Sequence, residues 1–349
     1  MNPFVLALLL SSLGLGTTIT FMSSHWLLAW MGLEINTLAI IPLMARHHHP
    51  RAVEATTKYF LTQATAAATI LFASTMNAWL TGEWDILQLS HPLTSTIAML
   101  ALALKIGLAP LHFWLPEVLQ GLDLTTGLIL STWQKLGPFA LITQVAPATS
   151  PTLLVLLGLL STLTGGWGGV NQTQLRKILA YSSIAHLGWM ILILQFAPSL
   201  TLLSLTLYLV MTTATFLSFK TSAATNINTL ALSWTKTPTL AALTALVLLS
   251  LGGLPPLTGF MPKWLILQEL TKQGLPLTAT LAALSALLSL FFYLRLCYAM
   301  TLTASPTTLP TTSPWRLSST QTTLPLSLAT LGALALLPLT PTIGALLTP

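Results

Sequence analysis

The chain has 349 residues, of which 54% are hydrophobic and only 6% charged, with a mean hydropathy of +0.80. Soluble domains carry roughly 25% charged residues, so this composition excludes a soluble globular protein and makes lipid the solvent. The formal charge of +6 is scattered among apolar stretches, which marks membrane topology and gives no case for nucleic-acid binding.

A bilayer core about 30 Å thick needs about 20 apolar residues per helix, and that ruler predicts an all-α polytopic membrane protein with about eleven spans. They lie near residues 3–22, 25–45, 58–80, 92–111, 122–145, 149–169, 174–196, 199–221, 238–271, 275–298 and 322–346. Met1-Asn2-Pro3-Phe4 runs straight into the first apolar stretch with no basic region before it, so this stretch reads as a retained helix. Pro110 and Pro116 break the fourth span. Gly165-Gly166-Trp167-Gly168-Gly169 ends the sixth; it fits no phosphate-binding loop and favours close helix packing. The ninth is too long for one span and contains Gly252-Gly253-Leu254-Pro255-Pro256 and Gly259. It reads as a discontinuous helix whose second half runs from Met261 to Thr271. Non-helical backbone at membrane depth survives only where protein or a wet cavity surrounds it.

The organisation expected is one membrane domain over residues 1–349. Its core spans about 1–298, a Pro/Ser/Thr-rich linker about 299–321, and a last helix about 322–346 that is free to contact a neighbour. With eleven spans, Arg46, Arg51, Lys58, Arg176, Lys177, Lys220, Lys236 and Arg316 fall on one side, and Glu83, Asp85 and Lys272 on the other. The positive-inside rule then puts the N-terminus on the cytoplasmic or matrix side and the C-terminus opposite.

Few charges lie deep in spans. On insertion scales a charge at the bilayer centre costs about 2.5–3.5 kcal/mol, so it stays only if paired, hydrated or used. Glu34 is mid-span, with Asn36 and Thr37 too weak to satisfy it alone. Lys105 sits late in the fourth span before Pro110, either snorkelling to an interface or facing a buried partner. Burial disfavours a lysine's charge and a nearby carboxylate favours it, which leaves such a group able to gain and lose a proton. At an assumed ~8 Å and an effective dielectric of about 20, Glu34 and Lys105 would interact by about 2 kcal/mol. Lys135 is mid-span beside Thr132 and Gln134, and Lys263 follows the broken ninth span, where a cation suits the carbonyl end of a half-helix. His112 and His186 are further candidates for a proton path, or neutral core histidines bonded to carbonyls. The His47-His48-His49 run reads as solvated loop. One cysteine, Cys297, cannot close an intrachain disulfide or hold a four-ligand iron–sulfur cluster. No HExxH or GxSxG motif is present.

The stretch Lys105-Ile106-Gly107-Leu108-Ala109-Pro110-Leu111-His112-Phe113-Trp114-Leu115-Pro116-Glu117 resembles the K-x4-P-x-H-x-W-L-P-[DE] signature of antiporter-like membrane subunits. Those belong to respiratory complex I and to multisubunit cation/proton antiporters. The segments from Leu124 to Pro138 and from Gly252 to Phe260 resemble the vertebrate mitochondrial complex I members, and the resemblance spans essentially the whole chain. It implies that Glu34 and Lys105 form the family's ion pair, that Lys135 is its central lysine, and that Lys263 is the lysine of the second broken helix. It implies no cofactor in this chain, with FMN and iron–sulfur clusters in partner subunits, and contacts with neighbouring antiporter-like subunits and phospholipid. The chain is shorter than bacterial relatives and resembles a form lacking the first three of their helices.

Overall fold

The computed structural model describes residues 2–46, 49–302 and 323–347; His47, His48, Arg316 and most of the predicted linker lie outside the described residues. Regular structure among the described residues is all helical. In order the helices are α1 (Pro3–Met22), α2 (Trp26–Met44), α3 (Pro50–Thr81), α4 (Pro92–Ile106), α5 (Trp114–Gly121), α6 (Leu124–Ser131), α7 (Trp133–Val145), α8 (Pro151–Gly169) and α9 (Leu175–Ile193). Then follow α10 (Pro198–Thr221), α11 (Ile227–Ala231), α12 (Ser233–Lys236), α13 (Pro238–Gly252), α14 (Phe260–Lys272), α15 (Pro276–Thr301), α16 (Leu324–Ala335) and α17 (Thr340–Leu347).

The start signals are local. Proline opens α1, α3, α4, α10, α13 and α15, where its missing N–H costs nothing. His25, His49 and His91 cap α2, α3 and α4, each Nδ1 accepting from the amide two residues on. Inside the helices, Ser and Thr hydroxyls bond back to preceding carbonyls, as Thr17 does to Gly14 at 2.8 Å. That is how so many hydroxyls are carried through an apolar chain.

Among the described residues, five helices are long and apolar enough to cross a membrane: α1, α2, α8, α10 and α15. The bent pair α16–α17, angled by 69°, makes a sixth if it is one span. The chain is thus a multi-pass helical membrane protein, and several predicted spans are interrupted or more polar. The fourth ends at Gly107 (φ 87°), and the ninth breaks between Gly253 (φ 82°) and Gly259. At each, a left-handed glycine stops the helix and prolines prevent its resumption. Pro116 does not break anything: it sits in the first turn of α5, where no i−4 bond is needed. The fifth predicted span is two helices, α6 and α7, parted at Thr132 (φ −113°, ψ −71°). No Gly or Pro marks that break. Helix α3 runs 32 residues, beginning eight residues before its apolar stretch.

The chain divides into two compact units, Met1–Ser161 and Thr162–Pro349. In the first, α3 packs against α2, α4 and α5, and α7 returns against α4 and α1. Gly32 lets α2 approach α1; a Cβ there would lie 2.7 Å from Thr20 Cγ2 and 2.9 Å from Gly16 O. In the second, α10 is central and touches α9, α13, α14, α16 and α17. The last helices therefore pack within this unit. The glycine-rich end of α8 meets α9 and α15: a Cβ on Gly165 would lie 2.6 Å from Ala185 N, and one on Gly169 2.7 Å from the Phe292 ring.

Gly165→Ala should destabilise by about 1–3 kcal/mol through overpacking. Gly14→Ala, where nothing lies within 4 Å, should be neutral or mildly stabilising. Thermal inactivation of the two variants side by side checks this; equal behaviour would contradict the packing assigned to Gly165.

Candidate functional site: buried lysines at helix breaks

In the first unit, four helices bring polar groups around one small cavity of about 20 Å³. That is room for about one water molecule, since roughly 10–15 Å³ of such space suffices to hold one. Lys105 from the last turn of α4 and Lys135 from the first turn of α7 both line it, with Asn36, Tyr59, Gln63 and Gln134. Lys105 is 5% exposed and Lys135 2%, so neither snorkels.

The cavity's shape is held by bonds to backbone at the helix ends. Gln63 Nε2 donates to Lys105 O at 3.4 Å, Trp114 Nε1 to Leu104 O at 3.0 Å, and Gln134 Nε2 to Asn36 O at 3.1 Å. The first two satisfy carbonyls that the end of α4 leaves open. Two buried polar atoms remain without a hydrogen-bond partner at the cavity: Lys105 Nζ and Asn36 Oδ1. Orphans of this kind beside a polar space of water size call for a bound water or a transferable proton.

Glu34 is half-buried on α2, and its Oε2 accepts from Thr37 Oγ1 at 3.2 Å. Among the described residues, no ion pair within 4.0 Å joins it to Lys105. Any interaction between Glu34 and Lys105 is thus longer-range than a direct contact, as the separation assumed from the sequence also was. His112 is 7% exposed, in the segment between α4 and α5, and its ring lies tilted at 31° to that of Phe113 with the ring centres 4.4 Å apart. Its Nδ1 is buried without a hydrogen-bond partner.

The second unit carries the other two predicted residues. Lys263, in the first turn of α14, donates its Nζ to Gly252 O at 2.7 Å, with Leu251 O at 3.5 Å. The ammonium thus caps the carbonyl end of α13, where the helix dipole is negative. Gly253 makes the approach possible: a Cβ there would lie 3.0 Å from Lys263 Nζ and 2.9 Å from its Cδ. His186 Nδ1 sits 2.7 Å from Ser182 O, and the ring packs on Tyr208 at 5.6 Å. That matches the carbonyl-bonded histidine weighed from the sequence.

Tyr59 and Gln63 were not distinguishable in the sequence, because α3 is rich in neutral polar residues and nothing marks which face the cavity. Arg295 was also missed; it lies well along α15 and donates to Val170 O at 2.7 Å, just past the end of α8. An arginine inside a predicted span is itself a signal, since it too needs a partner. Among the described residues no group of three or more His, Cys, Asp or Glu is placed to hold a metal ion.

Comparison with known proteins decides the family. A model described as NADH:quinone oxidoreductase/Mrp antiporter, transmembrane, matches residues 23–289. The chain belongs to the NADH:quinone oxidoreductase/Mrp antiporter family. Residues 290–344 match a second model, the C-terminus of NADH dehydrogenase subunit 2. NADH-ubiquinone oxidoreductase chain 2 of Oncorhynchus mykiss is 78% identical over 347 residues, covering 99% of both chains. Among solved structures, a chain of respiratory complex I from Thermus thermophilus with bound aureothin is 29% identical with a TM-score of 0.86. The match covers 99% of this chain and 80% of that one. A chain of the Mrp complex from Dietzia sp. shares the fold at 19% identity and a TM-score of 0.75, covering 84% of this chain and 59% of its own. Within the family, this chain stands with the chain 2 members.

Gly253→Ala should push the Lys263 ammonium away from Gly252 O and add about 1–2 kcal/mol of backbone strain at positive φ. A structure of the variant that keeps the 2.7 Å contact would contradict the packing assigned to Gly253.

Proposed function

We propose that this chain is a proton-translocating core membrane subunit of respiratory complex I, in which NADH oxidation and quinone reduction belong to partner subunits carrying FMN and iron–sulfur clusters. The observation that carries the proposal is the burial of Lys105 and Lys135 around one polar cavity. Family membership and the 78% identity to a chain 2 relative support the assignment to complex I.

The chemistry follows from charge and burial. A lysine in a dry site holds its proton weakly; a neighbouring carboxylate strengthens its hold. A change in the distance between Glu34 and Lys105, driven from the redox subunits, would alter how firmly Lys105 keeps its proton. Lys135 on the same cavity would then accept or release one through a bridging water, and Lys263 would continue the path. In its charged form Lys263 is stabilised by the α13 carbonyls. His112 and His186 are candidate relays, and the His186 ring is held beside the Ser182 carbonyl oxygen.

The same reading places the chain in the mitochondrial inner membrane with eleven passes, the N-terminus on the matrix side and the C-terminus facing the intermembrane space. Contacts between loops support the alternation. The bridge between His25 and Asp85 joins two loops expected on one side. The bridge between Gln174 and Asn226, and the 2.8 Å ion pair of Lys58 with Glu117, join loops expected on the other. Neighbouring antiporter-like subunits and phospholipid would cover the exposed apolar faces, such as that of Phe4, Leu8 and Leu15 on α1. A cation/proton antiporter without redox partners is the second reading. The fold it shares with the Mrp chain is compatible with it, and the chain 2 identity favours the first.

Lys135→Ala should leave assembly intact and lower proton-coupled turnover by about tenfold or more, given that a positioned proton-transfer group contributes about 10²–10⁴. Proton stoichiometry and rate measured in the assembled complex check it. Normal values in an assembled Lys135→Ala complex would sink the role.

A further inference from the structure

The break between α13 and α14 carries little internal support. Leu254 N bonds back to Leu249 O at 3.3 Å, Leu257 N to Leu254 O at 3.0 Å, and Phe260 N to Leu257 O at 3.2 Å. Gly259 fits directly under the Ser250 carbonyl, so the chain folds back tightly on the end of α13. Among the described residues, one side-chain hydrogen bond ties this break to a different helix: Thr258 Oγ1 donates to Ala333 O at 2.6 Å. Thr258 and Ala333 are both fully buried.

The acceptor is available for a physical reason. Ala333 lies in the last turn of α16, whose final four carbonyls have no partner further along the helix. The chain bends there by 69° into α17, with Pro338 just beyond. The end of α16 is therefore an open carbonyl group in an apolar setting, and the Thr258 hydroxyl fills it. Gly332 lets α16 come close enough, since a Cβ there would lie 2.8 Å from Val210 Cγ1 on α10. Helix α16 thus rests on α10 and on α13, while reaching the break with its last turn.

We infer that α16 clamps the α13–α14 break in the register that seats Lys263 on the end of α13, and that Thr258 is the positioning residue of this clamp. The clamp comes from the C-terminal segment, residues 290–344, which has its own family model apart from the antiporter-like region at 23–289. A C-terminal extension would in this way govern a lysine of the antiporter-like core. Thr258 acts through Lys263 and touches no transferred proton itself. The functional half of the inference rests on the proton role proposed for Lys263.

The test uses the assembled complex with Thr258→Val, which keeps the side-chain shape and removes the hydroxyl, beside Thr258→Ser, which keeps the hydroxyl. Backbone amide exchange across residues 253–263 should quicken about tenfold in Thr258→Val, the order expected for one buried hydrogen bond, and return to normal in Thr258→Ser. Protons moved per electron should fall in Thr258→Val at unchanged complex content and recover in Thr258→Ser. Thr258→Ala serves the same reading if the valine variant assembles badly. Unchanged exchange in the valine and alanine variants overturns the clamp. So does a loss of assembly in both with wild-type pumping per surviving complex, because the bond then serves folding alone. Lys263→Met is the control: if it pumps normally, the proton role of Lys263 fails, while the exchange result still decides whether the clamp exists.

Discussion

Hydrocarbon offers no hydrogen bonds, so every polar group this chain carries into the membrane must find its partner inside the protein. That constraint orders the rest of the structure. Hydroxyls turn back onto their own helices. Several helix ends are met by side chains: Gln63 and Trp114 at the end of α4, Lys263 at the end of α13, Thr258 at the end of α16 and Arg295 just past the end of α8. Breaking a helix creates open carbonyls, and open carbonyls attract donors and cations. The buried lysines and the helix breaks are thus two sides of one arrangement.

Where satisfaction is incomplete, function becomes possible. Lys105 Nζ and Asn36 Oδ1 are left without a hydrogen-bond partner beside a cavity of about 20 Å³ that Lys135 also lines. An unpaired buried charge is costly, and under the proposed function that cost is what would make its proton movable. Lys263 is in a different state, already donating to two carbonyls of α13. A lysine held by neutral dipoles can give up its proton without leaving an unpaired carboxylate, which is consistent with the relay role proposed for it. Glu34, half-buried and without direct contact to Lys105, is placed to act at a distance. Under the proposed function, its influence would change with modest movement of α2.

The sequence made the lysines legible because charges are so scarce in it; Lys105, Lys135 and Lys263 stand out against apolar neighbours. It made two breaks legible because Pro110, and Gly253 with Pro255 and Pro256, are strong local stop signals, although the glycine that ends α4, Gly107, was not singled out. The break at Thr132 was invisible, since no glycine or proline stands there and only tertiary packing parts α6 from α7. Tyr59 and Gln63 were invisible for another reason: a neutral polar residue in a long helix gives no sign of the face it occupies. The apolar ruler measured apolar stretches, so it predicted about eleven passes, whereas among the described residues five continuous helices, or six with the bent pair α16–α17, meet the length and hydropathy expected of a span. It also missed that the last helix is bent and packs on α10.

The central claim is that Lys105 and Lys135 share one hydrated site. A structure of the assembled complex resolved well enough to show ordered water tests it most directly. The account predicts at least about one water in the cavity, within hydrogen-bond distance of Lys105 Nζ and linking it toward Lys135. A dry cavity, with each lysine bonded to separate protein groups and no shared water, would contradict it.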